Sequence, residues 1–403
     1  MTTTGIPGWL GIAVAVVAVV ALAALFIAVQ NRRALVGHGV EMGPSIVGPG
    51  RTGTAATDAS SAARTLVAFV ANPTKPGVPE LRDAAVQACA ARYLPEPLWF
   101  DTTEDDPGIG QAREAVAKGA QVVIAVGGDG TVRAVAEGLV GTGKAMGIVP
   151  QGTGNLLARN LDLPLDDVDA QLRIALTGVD KPIDVGWLTV VRDEARVSDD
   201  IAEADPDAVR PQATPPGADE LPRDHIFLVI AGLGFDAAIV GDADEELKAR
   251  VGWVAYFVAA MRHLRGGRMR LEIAYDDQPW HRARLRSLLF GNVGRLPGGI
   301  TLLPDAEIDD GWMDIGAIDT RGGLAGWTQL LGEVAMQRFG MRNDLPNKIG
   351  KIDHHRVKRA RVRARDPQPV QVDGDTIGNV LEVAARLERH ALVVRVDGTP
   401  EPA

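Results

Sequence analysis

The sequence predicts an α/β protein: an N-terminal Rossmann-like parallel α/β domain, then a β-rich antiparallel sandwich domain, preceded by one transmembrane helix. Three observations carry this. From residue 65, short apolar runs alternate with stretches of helical spacing, the pattern of a parallel sheet with helices on both faces. Beyond residue 184 the runs become many short strands separated by turns. Residues 9–29, Trp9 to Val29, carry no charge and are almost all aliphatic.

At 1.5 Å per residue that first run spans roughly 31 Å as a helix, enough to cross a bilayer. Asn31-Arg32-Arg33 follow it, and no Lys or Arg precedes it. The basic flank predicts a single-pass cell-membrane protein with cytoplasmic catalytic domains. A cleaved signal peptide would start with positive charge and have a shorter apolar core. Residues 30–64 are rich in Gly, Ala, Ser and Thr and read as a flexible linker. The expected domains are 65–183 and 184–396.

The first domain reads as strand Thr65–Val70, helix Pro79–Arg92, strand Pro97–Phe100 and helix Gln111–Lys118. A third strand runs into Gly127-Gly128-Asp129-Gly130-Thr131, and a helix follows. The fourth strand is Ala145–Val149. The glycine turn offers free backbone N–H groups and a helix N-terminus, a cradle for phosphate. A carboxylate beside phosphate repels it unless a cation lies between, so Asp129 reads as a Mg²⁺-phosphate partner. In parallel sheets ligands bind at the carboxyl ends of strands. Four such ends carry polar or glycine turns: Asn72, Thr103, Gly127–Thr131 and Gly152-Thr153-Gly154-Asn155.

Two glycine patterns read as decoys. Gly138–Ala145 resembles a P-loop, but Ala145 stands where a Ser or Thr belongs and the run follows a helix. Gly232-Leu-Gly234-Phe-Asp-Ala237 lacks the later acidic residue of a dinucleotide site. The lone Cys89 lies on an apolar helical face and reads as core. A net charge of −10 argues against nucleic acid as a partner.

In the second domain, strands are expected at Asp184–Val191, His225–Ala231, Met269–Tyr275, His281–Asn292, Trp312–Ile318, Val357–Ala364 and Val380–Val383. Helices are expected at Leu247–Leu264 and Leu324–Arg338. Residues 193–223, crowded with Asp, Glu, Pro and Ala, read as a disordered insertion. Residues 354–365 are strongly basic and fit either a solvated sheet face or contact with anionic lipid headgroups.

Asn72-Pro73, Gly127-Gly128-Asp129-Gly130-Thr131 and Gly152-Thr153-Gly154-Asn155, in this order and spacing, resemble the diacylglycerol kinase catalytic-domain family. That family includes bacterial lipid kinases and the sphingosine and ceramide kinases, and is related to NAD kinases and phosphofructokinase. The resemblance runs from about Thr65 to about Val396. It implies ATP at Thr103, Gly127, Gly128, Asp129, Gly130, Thr131, Val132, Arg133 and Thr153, beside the rim groups Asn72, Gly152 and Asn155. Relatives often carry Asn where Arg133 stands. It implies a structural Mg²⁺ at Glu307, Asp310 and Trp312, partly through carbonyls, which hard cations accept. It also implies that Asp375, in Gln371-Val372-Asp373-Gly374-Asp375, is the base that deprotonates a lipid hydroxyl. Relatives usually have Glu at that place.

The resulting expectation is an ATP- and Mg²⁺-dependent lipid kinase acting on a lipid in the membrane, diacylglycerol first, with Asp129 and Asp375 as catalytic residues. Another lipid acceptor, a soluble-substrate kinase of the NAD kinase type and a non-catalytic nucleotide-binding membrane module are the alternatives. A homodimer is left open.

Overall fold

The computed structural model describes residues 65–193, 224–234, 268–296, 300–320 and 350–398. They form a mixed α/β fold built on one 14-stranded sheet. The parallel part contains β1 (Val67–Ala71), β2 (Leu98–Asp101), β3 (Val122–Gly127) and β4 (Ala145–Pro150), in the order β2-β1-β3-β4. Every residue of β1, β3 and β4 is buried. Continuous apolar runs such as Val-Ala-Phe-Val-Ala suit this position, because both faces are covered by helices. The covering helices are α1 (Val78–Ala90), α2 (Ile109–Ala117), α3 (Asp129–Leu139), α4 (Leu156–Asn160) and α5 (Val168–Thr177).

Helix α1 turns Leu81, Ala85 and Cys89 inward at helical spacing. Cys89 is a buried free thiol, and burial pushes its pKa up to about 11. It packs, as its sequence context implies, and it is kept far from thiolate chemistry. The Gly138–Ala145 segment is the end of α3 and a turn into β4, with Gly141 and Gly143 at positive φ, not a phosphate loop.

The remaining strands are β5 (Val179–Asp193), β6 (Asp224–Phe227), β7 (Ile230–Leu233), β8 (Met269–Tyr275), β9 (His281–Leu285), β10 (Ser287–Gly291), β11 (Arg295–Leu296), β12 (Ile300–Thr301), β13 (Met313–Thr320), β14 (Gly350–Val357), β15 (Arg359–Val372) and β16 (Asp375–Val396). All but the small β11-β12 pair join the large sheet. Their mutual pairings are antiparallel. A second apolar core gathers Phe227, Phe290, Leu288, Val362 and Val383 beneath them.

The two halves do not own separate sheets. Strand β16 pairs antiparallel with β5 and β15, then parallel with β4 through Val393 opposite Ala145. Sequence periodicity splits or shortens several of these strands. His225–Ala231 is really β6 and β7, with Leu228 and Val229 between, and His281–Asn292 is β9 and β10. Val380–Val383 is the middle of a much longer β16, whose register shifts interrupt the alternation. Helix α5 has a cap that the sequence reading passed over: Asp167 accepts a hydrogen bond from the Ala170 N–H.

Residues 9–29 and 30–64, the expected helices at 247–264 and 324–338, and the insertion from 194 to 223 lie outside the described residues. The single-pass cell-membrane placement is corrected. Among the described residues no helix is long and apolar enough to cross a membrane. The longest, α1, has 13 residues against the roughly 20 a bilayer requires. An apolar run of sufficient length shows only a capacity to insert, and no helix of the described fold uses one.

Candidate active site

The four carboxyl ends on the parallel sheet come together through their backbones. The Asn72 N–H donates to the Val126 carbonyl, and the Gln151 N–H donates to the Gly127 carbonyl. Strand β3 therefore holds the turns after both of its neighbours. The glycines matter for closeness. A Cβ on Gly152 would stand 2.7 Å from the Gly128 Cα, and one on Gly127 would stand 2.6 Å from the Thr131 side chain. Only hydrogen at these positions lets the two turns meet. Gly152→Ala should cost about 1–3 kcal/mol by overpacking, read as a lower midpoint in urea unfolding, with weaker ATP binding by calorimetry.

Asp129 occupies the seam. Its Oδ1 accepts from the Leu156 N–H at 2.5 Å, tying the start of α3 to the start of α4. A Cβ on Gly154 would lie 2.5 Å from Asp129 Oδ2. Burial pushes the Asp129 pKa up to about 6; the Leu156 and Asn155 N–H groups oppose this, and the Asp373 and Asp375 charges add to it. In the unfolded chain an aspartate titrates near 3.8. Between those values the folded protein holds a proton that the unfolded chain has released. Stability therefore falls as pH rises through about 4 to 6, and Asp129→Asn should flatten that slope in thermal melts across this window.

The other rim residues have local partners. Asn72 Oδ1 accepts from Thr74 N at 3.0 Å and Thr74 Oγ1 at 2.7 Å. Thr103 Oγ1 accepts from Asp106 N at 3.1 Å. Asn155, at φ 49°, holds the turn closed: Gly152 N donates to its Oδ1 at 2.9 Å and its Nδ2 donates to Gly152 O at 2.7 Å. Thr131 and Val132 are buried beneath the turn, while Thr153 is exposed at the rim.

The β15–β16 hairpin reaches this rim from far along the chain. Asp375 Oδ2 would lie 3.8 Å from a Cβ built on Gly130. Arg133, on α3, pairs with Asp375 through Nη2 and donates from Nη1 to the Val372 carbonyl at 3.2 Å. The Asp375 side chain is 60% exposed, so the pair contributes no more than about 1 kcal/mol and yields readily to a competing anion. Arg133, whose identity departs from the family pattern, is thus a cation between the glycine turn and the proposed base.

The two carboxylates of the hairpin have opposite roles. Asp373, at φ 45°, points inward and is buried. Its Oδ2 accepts from Leu228 N at 2.8 Å, and its Oδ1 accepts from Val229 N and Ile230 N, each at 2.9 Å. Burial raises its pKa, and those three N–H groups and Arg133 oppose the rise. Asp373 therefore fastens the β6–β7 break under the site, and Asp375 alone faces the rim.

The acidic turn before β13 stands apart from this rim in its contacts. Asp310 pairs with Arg356 and accepts from the Trp312 N–H at 2.9 Å. Glu307 and Trp312 are exposed. Asp184, fully buried, was not singled out from sequence. Its carboxylate accepts from Gly311 N at 2.5 Å and His390 N at 2.8 Å, so it fixes the turn from beneath. Asp314 has a buried Oδ2 without a hydrogen-bond partner, and burial, with Asp305 and Glu307 nearby, pushes its pKa up to about 6. Among the described residues no group of three or more His, Cys, Asp or Glu side chains is placed to hold a metal. Backbone carbonyls would have to complete a set here. The unpartnered Asp314 oxygen, with the Asp305 and Glu307 carboxylates near it, is oxygen-donor chemistry of the kind a hard divalent cation takes.

A family model described as the diacylglycerol kinase catalytic domain matches residues 69–188. A second, described as the YegS C-terminal NAD kinase beta sandwich-like domain, matches residues 229–396. A protein of Pseudomonas aeruginosa (strain UCBPP-PA14) named "Probable lipid kinase YegS-like" is 30% identical over 268 residues, covering 64% of this chain and 74% of that one. The chain belongs to the diacylglycerol kinase catalytic-domain family of lipid kinases. The "Diacylglycerol kinase" of Bacillus subtilis (strain 168) is 25% identical over 286 residues, 70% of this chain and 80% of that one. Several curated relatives are matched over little more than half of their own length. Among solved structures, a diacylglycerol kinase from Bacillus anthracis str. Sterne shares the fold, with a TM-score of 0.58 and 19% identity, over 82% of this chain and 97% of that one. Both family models lie downstream of residues 9–29, so membership of this family lends no support to a single-pass anchor. Kinases of this family use ATP, usually with a divalent metal.

Proposed function

We propose that the protein transfers the γ-phosphate of ATP to a lipid hydroxyl, with diacylglycerol as the first substrate to test and phosphatidic acid as its product. The observation that carries the reading is the approach of the Asp375 carboxylate to Gly130 of the glycine turn. It puts a candidate base beside a candidate phosphate cradle, although the two lie in different halves of the fold. Backbone N–H groups of the Gly127–Thr131 turn, with those of Thr153 and Gly154, bind the phosphates at the rim, while the Gly152 and Asn155 N–H groups hold the second turn in shape. Arg133 exchanges Asp375 for the γ-phosphate and neutralises its developing charge. Asp375, freed of that pair, accepts the proton of the lipid hydroxyl. The hydroxyl oxygen forms the new bond to phosphorus in line, the bond to the β-phosphate bridging oxygen breaks, and ADP leaves. Asp129 sits at the seam where a Mg²⁺ held with the nucleotide would neutralise phosphate charge; Glu307, Asp310 and the Trp312 carbonyl are the candidate ligands of a second, structural ion.

Transfer of labelled phosphate from ATP to a panel of diacylglycerol, sphingoid base, ceramide and phosphatidylglycerol, with NAD included, tests this. Label in diacylglycerol is the expected result. Label in another lipid changes the substrate and keeps the class. Label in NAD alone, or in nothing while ATP still binds, defeats the proposal.

A further inference from the structure

We propose that the outer face of the five-stranded run β9-β8-β15-β16-β5 is a docking surface for an anionic phospholipid bilayer. The inference rests on the lipid-kinase reading for its purpose, because such an enzyme must meet its substrate at a surface. It concerns residues that serve neither the nucleotide rim nor the hairpin base.

Strand pairing aligns the charges. Arg282 lies opposite Glu272, Glu272 opposite Arg363, Arg363 opposite Glu382 and Glu382 opposite Arg192, one ladder across five strands. Opposed residues share a face. The reverse face buries Leu271, Ile273, Val362 and Val383 in the core. Within the ladder Arg282 pairs with Glu272 at 3.3 Å and Arg363 pairs with Glu382 at 3.1 Å. The next row is different. Arg284 stands opposite Arg270, like charge against like, an arrangement that costs stability in a sheet. Arg270 finds Asp366 at 3.3 Å. Arg192, Arg284 and Arg365 are exposed and have no hydrogen-bond or ion-pair partner among the described residues.

The same face forms an open groove of about 1240 Å³, into which Arg192, Arg270, Arg282, Arg284, Arg363 and Arg365 converge against only Glu272 and Glu382. A cationic excess of this size in a chain of net charge −10 is a local inversion of the protein's field. The net charge of the whole chain has the opposite sign, so the groove orients a polyanion that approaches. Trp280 stands at its edge, 38% exposed, with the Arg363 guanidinium 4.3 Å and that of Arg361 5.8 Å from the ring centre. A ring with one wet edge, flanked by cations, is the side-chain set favoured where lipid headgroups meet water. Cations spread over adjacent strands, with a half-wet tryptophan beside them, suit an array of phospholipid headgroups better than the single line of phosphates along a nucleic acid strand.

The test is flotation of the full chain with vesicles of phosphatidylglycerol and phosphatidylcholine, compared with phosphatidylcholine alone, at low and high salt. The triple variant Arg192→Gln, Arg284→Gln, Arg365→Gln removes only unpaired side chains, so it should fold and bind ATP as the parent does. Binding to the anionic vesicles should fall on the order of 100-fold in the variant, and the parent's binding should weaken as salt rises. Phosphorylation of a short-chain lipid dispersed below its micellar concentration should be unchanged. Equal flotation of variant and parent overturns the proposal, as does tighter binding to duplex DNA than to anionic vesicles. If no lipid is phosphorylated in any form yet arginine-dependent flotation persists, the kinase reading fails while the docking surface stands. If lipid is phosphorylated and flotation is absent, the reverse holds.

Discussion

Asp375→Asn is expected to lower phosphate transfer by about 10²–10⁴-fold, the usual contribution of a positioned base, while ATP affinity is preserved. The carboxylate touches none of the backbone that shapes the cradle. Its partner is the Arg133 guanidinium, which is free to turn to phosphate once the pair is lost. Asparagine keeps the shape and hydrogen-bonding reach of the side chain but cannot take the proton. Single-turnover kinetics with ATP prebound separate the chemical step from binding. Asp375→Glu, which restores the residue that relatives usually carry, should retain most of the activity. Unchanged turnover in Asp375→Asn would remove this residue from the mechanism.

Asp373→Ala should be the most destabilising single change near the site, at about 1–3 kcal/mol for each buried donor left without its acceptor. Three consecutive N–H groups, of Leu228, Val229 and Ile230, would lose their acceptor in a dry environment. Asp373→Asn should fall between, since its amide oxygen serves Val229 and Ile230 but its NH₂ meets the Leu228 N–H head on. Urea unfolding followed by circular dichroism reads both. A loss below about 1 kcal/mol for the alanine variant would show that water replaces the carboxylate there, at the level of an ordinary surface change. The contrast between the two aspartates is the sharper result: one change should leave the fold intact and stop the reaction, and its neighbour two residues away should weaken the fold.

The rim was legible in the sequence because its signals are local. Gly127–Thr131 and Gly152–Asn155 each follow a continuous apolar strand, and a parallel sheet places such ends on one edge. The hairpin was only half legible. Asp373-Gly374-Asp375 reads as one acidic turn, but the left-handed backbone at Asp373 and Gly374 sends its two carboxylates in opposite directions. Asp184 was not legible at all. It sits inside an ordinary strand pattern, and its partners Gly311 and His390 are distant in the chain. The break between β6 and β7 escaped for a related reason. Periodicity reports apolar spacing, and Leu228 and Val229 are apolar and buried. What interrupts the strand is the Asp373 carboxylate drawing their amides away. Arg133 could be flagged as a departure from the family pattern, but its bond to a residue 242 positions away could not be foreseen.

The order of strands has a consequence for how the chain acquires its shape during synthesis. The edge of β4 stays without a neighbour until Val393 and Val394 have emerged from the ribosome. Until then the nascent parallel sheet exposes a row of free amide and carbonyl groups, an invitation to pair with another unfinished chain. The nucleotide half and the hairpin that carries Asp375 are thus completed together, late, by a single strand. A translation product interrupted before β16 would have the glycine cradle but neither the base nor a closed sheet edge. It would be a substrate for chaperones and proteases, not a slow enzyme.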